Sequence, residues 1–321
     1  MSEKKKIAVC GVWHVHAYEY SMAAKDFAEV TGVWDSDAER RKSFCAQHGF
    51  NEYESFEELL QSDAEGVILT SATSEHEKYI EAVAAAGKNI FCEKVLAADT
   101  ATCYNIKKTI EKYGVDFVIS LFRKFESLPL TVKSIVDSGE LGKLNYFRFR
   151  NCHNGSSTHW LPAQFFNRDE CCGGSLIDLG AHGMYLASWI MGGLPDTYAS
   201  SLGCCFTDKT QVEDNAVAVM GYKNGAIAVN EASFVSNCCP ITMEVGGENG
   251  YVYYKGKGPV IKSTVLTDYK PCEVGLCEAK PRPIIQFLTG NILDGCGIDD
   301  AIELTKMMEG AYAAAARARE I

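Results

Sequence analysis

The sequence predicts an α/β protein of two domains, a doubly wound parallel sheet followed by an α+β domain. Three observations predict it. Short apolar runs alternate with amphipathic stretches over about the first 120 residues, the pattern of strand–helix units that build a parallel sheet. Beyond residue 122 the texture changes to closely spaced strands flanked by helices. The chain's 321 residues also exceed the usual size of one hydrophobic core, so two domains, 1–122 and 123–321, are expected.

The runs of the first domain are Ile7–Cys10, Val30–Trp34, Gly66–Thr70, Lys88–Cys92 and Val115–Ser120. Each is short and rich in Val, Ile or Phe, as strands buried on both faces are. Helix signals lie between them. Ser36-Asp37 precedes a helix over Ala38–His48, and Ser55-x-x-Glu58 and Ser74-x-x-Glu77 have capping-box spacing. Ala82–Ala86 followed by Gly87 reads as a helix end with a left-handed cap.

In the second domain, Pro129–Ser138 reads as a helix, Lys143–Asn151 as a strand, Cys152–Gly174 as a loop and Ser175–Met191 as a helix. Strands are expected at Thr197–Phe206, Asn215–Tyr222, Ala226–Phe234, Ile241–Val245, Tyr251–Tyr254 and Val260–Leu266, with Asn224-Gly225 a hairpin turn. Helices over Pro283–Leu293 and Asp299–Arg319 close the chain.

Composition narrows the function. A formal charge of −11 with no long basic cluster argues against a nucleic-acid partner, since phosphate binding needs clustered Lys and Arg. No stretch approaches the ~20 apolar residues of a membrane span. Lys4-Lys5-Lys6 precedes too short an apolar run for a signal peptide, and a cytoplasmic protein is expected. The 14 cysteines then read as reduced thiols.

Dinucleotide-binding sheets carry G-x-G-x-x-G after the first strand. Here the window is Gly11-Val12-Trp13-His14-Val15-His16, which keeps only the first glycine. Asp35 ends the second strand, where a carboxylate hydrogen-bonds the adenosine ribose and repels a 2′-phosphate. Ser36 rather than Arg follows, so NAD is favoured over NADP. Asp35 also reads as a helix cap. His14 and His16 alternate at a strand end and could chelate a metal with further ligands such as His76 or His182. A polar lining of the cofactor or substrate cleft is preferred, and no metal is assigned.

Ser71-Ala72-Thr73-Ser74-Glu75-His76, then Ala85-Ala86-Gly87-Lys88 and Glu93-Lys94-Val95, resemble the glucose–fructose oxidoreductase / inositol dehydrogenase / MocA (Gfo/Idh/MocA) family. Gly173-Gly174-Ser175-Leu176-Ile177-Asp178-Leu179-Gly180-Ala181-His182 resembles its G-G-x-x-x-D-x-G-x-H signature. Val95 replaces the proline of E-K-P, and Thr73 the asparagine of T-P-N. The resemblance implies an NAD(P)-binding Rossmann domain and a second domain with a large open, mostly antiparallel sheet. That sheet implies a homodimer or homotetramer contact. The implied substrate is a sugar, inositol or related polyol, whose secondary alcohol or ketone exchanges a hydride with the nicotinamide.

By the same resemblance, Lys94, Asp178 and His182 form the catalytic set. Gly11, Trp13, His14 and Asp35 face the cofactor from the first half of the domain. Ser71, Thr73, His76, Glu93 and Lys94 do so from the second. The chemistry suits these types. Hydride transfer from a carbinol needs a base titrating near neutrality, and imidazole has an ordinary pKa of about 6.5. Asp178 lies four residues before His182 on an expected helix, so it could orient the ring. The Lys94 ammonium could stabilise alkoxide charge or itself exchange the proton. Arg123, His153, Trp160 and Arg168 are assigned to the substrate side, the loop joining hydrogen-bonding groups to an aromatic platform. Redox-neutral NAD- or metal-using glycosidase, lyase or epimerase chemistry and a non-catalytic sugar sensor are the competing readings.

Overall fold

The computed structural model describes residues 4–206 and 212–318. They form two compact units, one of residues up to Phe122 with Pro281–Thr305, the other of Arg123–Lys280 with the residues from Lys306 on.

The first unit opens with β1 (Lys6–Cys10), α1 (Ala17–Phe27), β2 (Glu29–Trp34), α2 (Ala38–His48), α3 (Phe56–Gln61) and β3 (Gly66–Leu69). It continues with α4 (His76–Ala85), β4 (Asn89–Cys92), α5 (Thr100–Tyr113) and β5 (Phe117–Ile119). All five strands pair in parallel, in the order β2-β1-β3-β4-β5. The order reverses between β1 and β3, and crevices at such a point receive ligands beyond the C-terminal strand ends. The C-terminal parts of β1 and β2 and all of β3 are buried, as strands covered on both faces are. Helix α1 buries Ala17, Tyr20, Ser21 and Ala24, a stripe at helical spacing.

The second unit holds α6 (Ser127–Asp137), β6 (Leu144–Cys152), α7 (Arg168–Cys171) and α8 (Ala181–Met191). Seven strands follow: β7 (Thr197–Gly203), β8 (Asn215–Gly221), β9 (Ile227–Ser233), β10 (Thr242–Gly247), β11 (Gly250–Tyr254), β12 (Val260–Ser263) and β13 (Cys272–Glu273). They form one open sheet with β6, ordered β13-β12-β11-β10-β6-β9-β8-β7. Only the central β6–β9 pair is parallel. Phe147 and Phe149 of β6 point to the buried face, and Arg148 and Arg150 to the other, as the two-residue period requires. Helices α9 (Pro283–Thr289) and α10 (Ile298–Ala318) end the described chain.

Several expectations change. Helix α9 returns to the first unit: Phe287 lies against Gly66 and beside Phe91, and the Ile119 amide donates to the Cys296 carbonyl. Ser74 does not cap a helix. It lies in a 3-10 turn over Thr73–Glu75, and α4 begins at His76 with no side-chain cap. The Ser55 hydroxyl does accept the Glu58 amide, but Glu58 reaches back to the amide of Glu54 rather than Ser55. The expected end of the last helix, Arg319, lies outside the described residues. All fourteen cysteines are free thiols.

One buried carboxylate organises the second unit. Oε1 of Glu213 accepts hydrogen bonds from the amides of Gly174 (3.1 Å) and Leu176 (3.0 Å) and from the Tyr312 hydroxyl (2.8 Å). Gly174 has no room for a Cβ, which would fall on the Glu213 backbone. Glu213→Ala strands two buried amides, and an unpaired buried donor costs about 1–3 kcal/mol. The variant is expected to lose about 2–4 kcal/mol of stability by urea unfolding. On the sheet itself, Glu231 of β9 bridges Arg148 (2.7 Å) and Arg150 (2.5 Å) of β6. Burial pushes its carboxyl up, but hydrogen bonds from Arg150 and Arg148 outweigh that and leave it below the ordinary value. A depressed folded-state pKa stabilises above the unfolded value of about 4.3 and loses that increment as pH falls through the folded one. The stability gap between the wild type and Glu231→Gln should therefore be widest near neutrality and close in acid, read from urea midpoints across pH.

Candidate active site

The turn after β1 is held by close contacts. Gly11 adopts φ +82°, and a Cβ there would meet the Ser71 Cα and N at 2.6 Å. Only glycine suits such a position. The Gly11 amide donates to the Trp34 carbonyl (2.7 Å), the His14 amide to the Thr70 carbonyl (3.0 Å), and the Thr70 hydroxyl to the Gly11 carbonyl (2.5 Å). The turn is thereby tied to the ends of β2 and β3 at the order reversal. Trp13, at the second glycine position, is buried. His16, at the third, precedes α1 in helical conformation without a side-chain cap.

Asp35 is buried at the end of β2, and its oxygens are engaged. Oδ2 accepts the Val12 amide (2.6 Å) and Arg40 Nε (3.1 Å); Oδ1 accepts the Asp37 amide (2.8 Å) and Arg40 Nη2 (2.7 Å). Sequence reasoning missed Arg40, which stands in the first turn of α2, five residues after Asp35. The helix cap read into Asp35 belongs to Asp37, whose side chain accepts the Arg40 amide (3.0 Å). The left-handed Gly11 with no space for a Cβ fits the tight turn of a dinucleotide-binding sheet, while the Asp35 carboxylate is held by Arg40 and two backbone amides.

Glu93 and Lys94 follow β4 and are both buried; the Lys94–Val95 peptide is cis. Glu93 Oε2 accepts the Tyr20 hydroxyl (2.6 Å) and faces His16 Nδ1 (3.2 Å), while Oε1 has no hydrogen-bond partner. Burial alone would push its carboxyl up, but the charges of His14, His16 and Lys94 and the His16 hydrogen bond bring it down to about 2. Tyr20 also meets the Ser120 hydroxyl (2.6 Å), a link with no motif to signal it. Ser71 is buried and Thr73 partly exposed. His76 is buried, with Nδ1 toward the Leu96 carbonyl (3.1 Å); burial lowers its pKa.

In the second unit, Asp178 lies in a π-helical turn over Leu176–Gly180 that leads into α8. This corrects the expected regular helix. Neighbouring side chains take its carbonyls: Asn230 Nδ2 donates to Gly180 (2.7 Å) and Asn151 Nδ2 to Leu179 (3.4 Å). Such widened turns recur at functional sites. His182 is buried on α8, and its Nδ1 meets the Tyr185 hydroxyl at 2.8 Å. Tyr185 therefore takes a positioning part that the sequence reading gave to Asp178 alone. Its oxygen also accepts the Arg123 amide (3.2 Å). The i, i+3 spacing of His182 and Tyr185 was a visible signal.

The residues assigned to substrate divide. His153 stacks on Phe234 at 5.0 Å and 7°, and Trp160 lies 4.7 Å from the same ring. Trp160 is 51% exposed, and its Nε1 donates to Asn154 Oδ1 (2.9 Å). These rings form an aromatic shelf. Arg168 is exposed at the start of α7. Arg123 pairs with Glu126 at 3.1 Å.

Two family descriptions match. Residues 5–120 match the oxidoreductase family with NAD-binding Rossmann fold, and residues 130–253 the GFO/IDH/MocA C-terminal domain. The chain is 27% identical over 212 residues to the uncharacterized oxidoreductase YrbE of Bacillus subtilis (strain 168), covering 64% of this chain and 60% of YrbE. It is 25% identical over 287 residues to inositol 2-dehydrogenase of Ralstonia nicotianae (strain ATCC BAA-1114 / GMI1000), covering 84% and 80%. The chain thus spans under two thirds of the length of several curated relatives that it matches. The fold matches a crystal structure of aldose-aldose oxidoreductase from Caulobacter crescentus complexed with glycerol, at TM-score 0.81, 22% identity and 99% coverage of both chains. With both domain descriptions matched in order along the chain, the protein belongs to the GFO/IDH/MocA oxidoreductase family.

Proposed function

We propose that this protein is an NAD-dependent oxidoreductase that moves a hydride between nicotinamide and a secondary alcohol or ketone of a sugar, inositol or related polyol. The observation that carries the reading is the buried Lys94, two residues after β4, in a domain that matches the NAD-binding Rossmann family. The relatives support the substrate class: one is named for inositol and another as glucose-6-phosphate 3-dehydrogenase.

When bound, NAD supplies the hydride acceptor. Lys94 holds the reacting oxygen and stabilises its developing charge. His182, with Nδ1 engaged by Tyr185, exchanges the hydroxyl proton through Nε2. Asp178 stands on the turn that carries the imidazole. Trp160, half exposed beside His153, offers an aromatic face to a sugar ring. The Asp35 carboxylate favours NAD by repelling a 2′-phosphate, although Arg40 neutralises part of its charge. The open sheet supplies the surface for self-association.

A panel of inositols, aldoses and sugar phosphates, read by NADH absorbance, tests the activity. Lys94→Ala and His182→Ala are each expected to lower kcat by about 10²–10⁴-fold, the usual worth of a positioned acid or base. Tyr185→Phe should shift the pH profile of kcat while leaving KM nearly unchanged, as a positioning role demands. Turnover without net NADH change would instead support the redox-neutral reading. For the cofactor, fluorescence titration should show tighter binding of NADH than NADPH. Asp35→Ala should weaken NADH by about tenfold, or 1.4 kcal/mol, and narrow the preference. A wild-type protein that prefers NADPH would overturn the NAD assignment.

A further inference from the structure

The rebuilt turn brings together three side chains that the hydride-transfer reading leaves without a shared task. His14, His16 and Glu93 each offer a ligand atom, and these atoms lie within 4.8 Å of one another. We propose that His14, His16 and Glu93 form a divalent-metal site of the zinc-like class at the C-terminal ends of β1 and β4.

The donor set is two imidazole nitrogens and one carboxylate oxygen. That set suits zinc, cobalt or nickel rather than calcium or magnesium, which take oxygen ligands. Three protein ligands leave a coordination position open for water or a substrate oxygen, as in catalytic zinc sites. The His16 ring already faces the Glu93 carboxylate, with Nδ1 3.2 Å from Oε2.

Burial and hydrogen bonding favour an ion over a simple polar lining. Glu93 is 1% exposed and His14 7%, yet Glu93 Oε1 has no hydrogen-bond partner. A buried carboxylate oxygen ordinarily finds a donor, so this one has coordinating capacity to spare. The Tyr20 hydroxyl fixes the carboxylate's other oxygen, and Ser120 meets Tyr20. Such outer hydrogen bonds orient the ligands of metal sites. His14 Nδ1 accepts the His16 amide at 3.2 Å, and the two imidazole rings lie 4.6 Å apart. His16 is the most exposed of the three, its side chain 25% accessible, and gives the ion its way in. Imidazole and carboxylate ligands bind metal in their deprotonated forms, so binding should weaken in acid.

The inference stands apart from hydride transfer, because metal occupancy is read without cofactor or substrate. Elemental analysis of the purified full chain and calorimetric titration of the stripped protein with Zn²⁺ should find one tight equivalent. His16→Asn and Glu93→Gln should each weaken it at least tenfold while circular dichroism stays native. Co²⁺ loading reports the donors: a visible band without thiolate charge transfer is expected. Absence of a stoichiometric site in the wild type, or undiminished binding in both variants, would overturn the proposal. So would a thiolate signature, which would move the ion to the cysteines. NADH binding measured on the same samples separates failure here from failure of the oxidoreductase reading.

Discussion

The backbone contact between Gly11 and Ser71 is the constraint on which the first unit's chemistry rests. At that point the strand order reverses between the paired β1 and β3, and the chain leaving β1 can pass Ser71 only if it carries no Cβ. The crossing then sets everything that follows. It turns the Val12 amide toward Asp35, hooks the His14 amide onto Thr70, and delivers His16 opposite Glu93.

What the sequence made legible follows from periodicity and local chemistry. The five parallel strands were visible because strands buried on both faces must be apolar throughout. The hairpin at Asn224-Gly225 was visible because its conformation needs a residue like glycine, and Gly225 has φ +85°. Interactions between segments distant in the chain were less legible. Nothing near Ser74 says that it will enter a 3-10 turn. Nothing near Asp178 announces that Asn151 and Asn230, from two strands of the sheet, will open a π turn there. Candidate residues could be named singly from the sequence, but the pairings Asp35–Arg40, His16–Glu93 and His182–Tyr185 belong to the folded chain.

The second unit shows the same logic in a different architecture. Its sheet is antiparallel except at β6–β9, and that central pair supplies Asn151 and Asn230, whose amides hold the turn before α8. The outer face of β6 and β9 carries Arg148, Arg150 and Glu231. One strand therefore serves a buried helix through alternate residues and an ionic surface through the rest, a division that the period of two makes unavoidable.

The return of Pro281–Thr305 to the first unit has a consequence for how this protein can be taken apart. Phe287 fills the space above Gly66, and Cys296 receives the amide of Ile119, so the nucleotide-binding half is discontinuous in the gene. A fragment ending at Phe122 would lack a wall of its own core and leave β5 with an unanswered edge. An exchange of cofactor domains between relatives must carry both pieces. Synthesis on the ribosome imposes the same order: the first half to emerge waits for nearly the whole chain before its last side is closed.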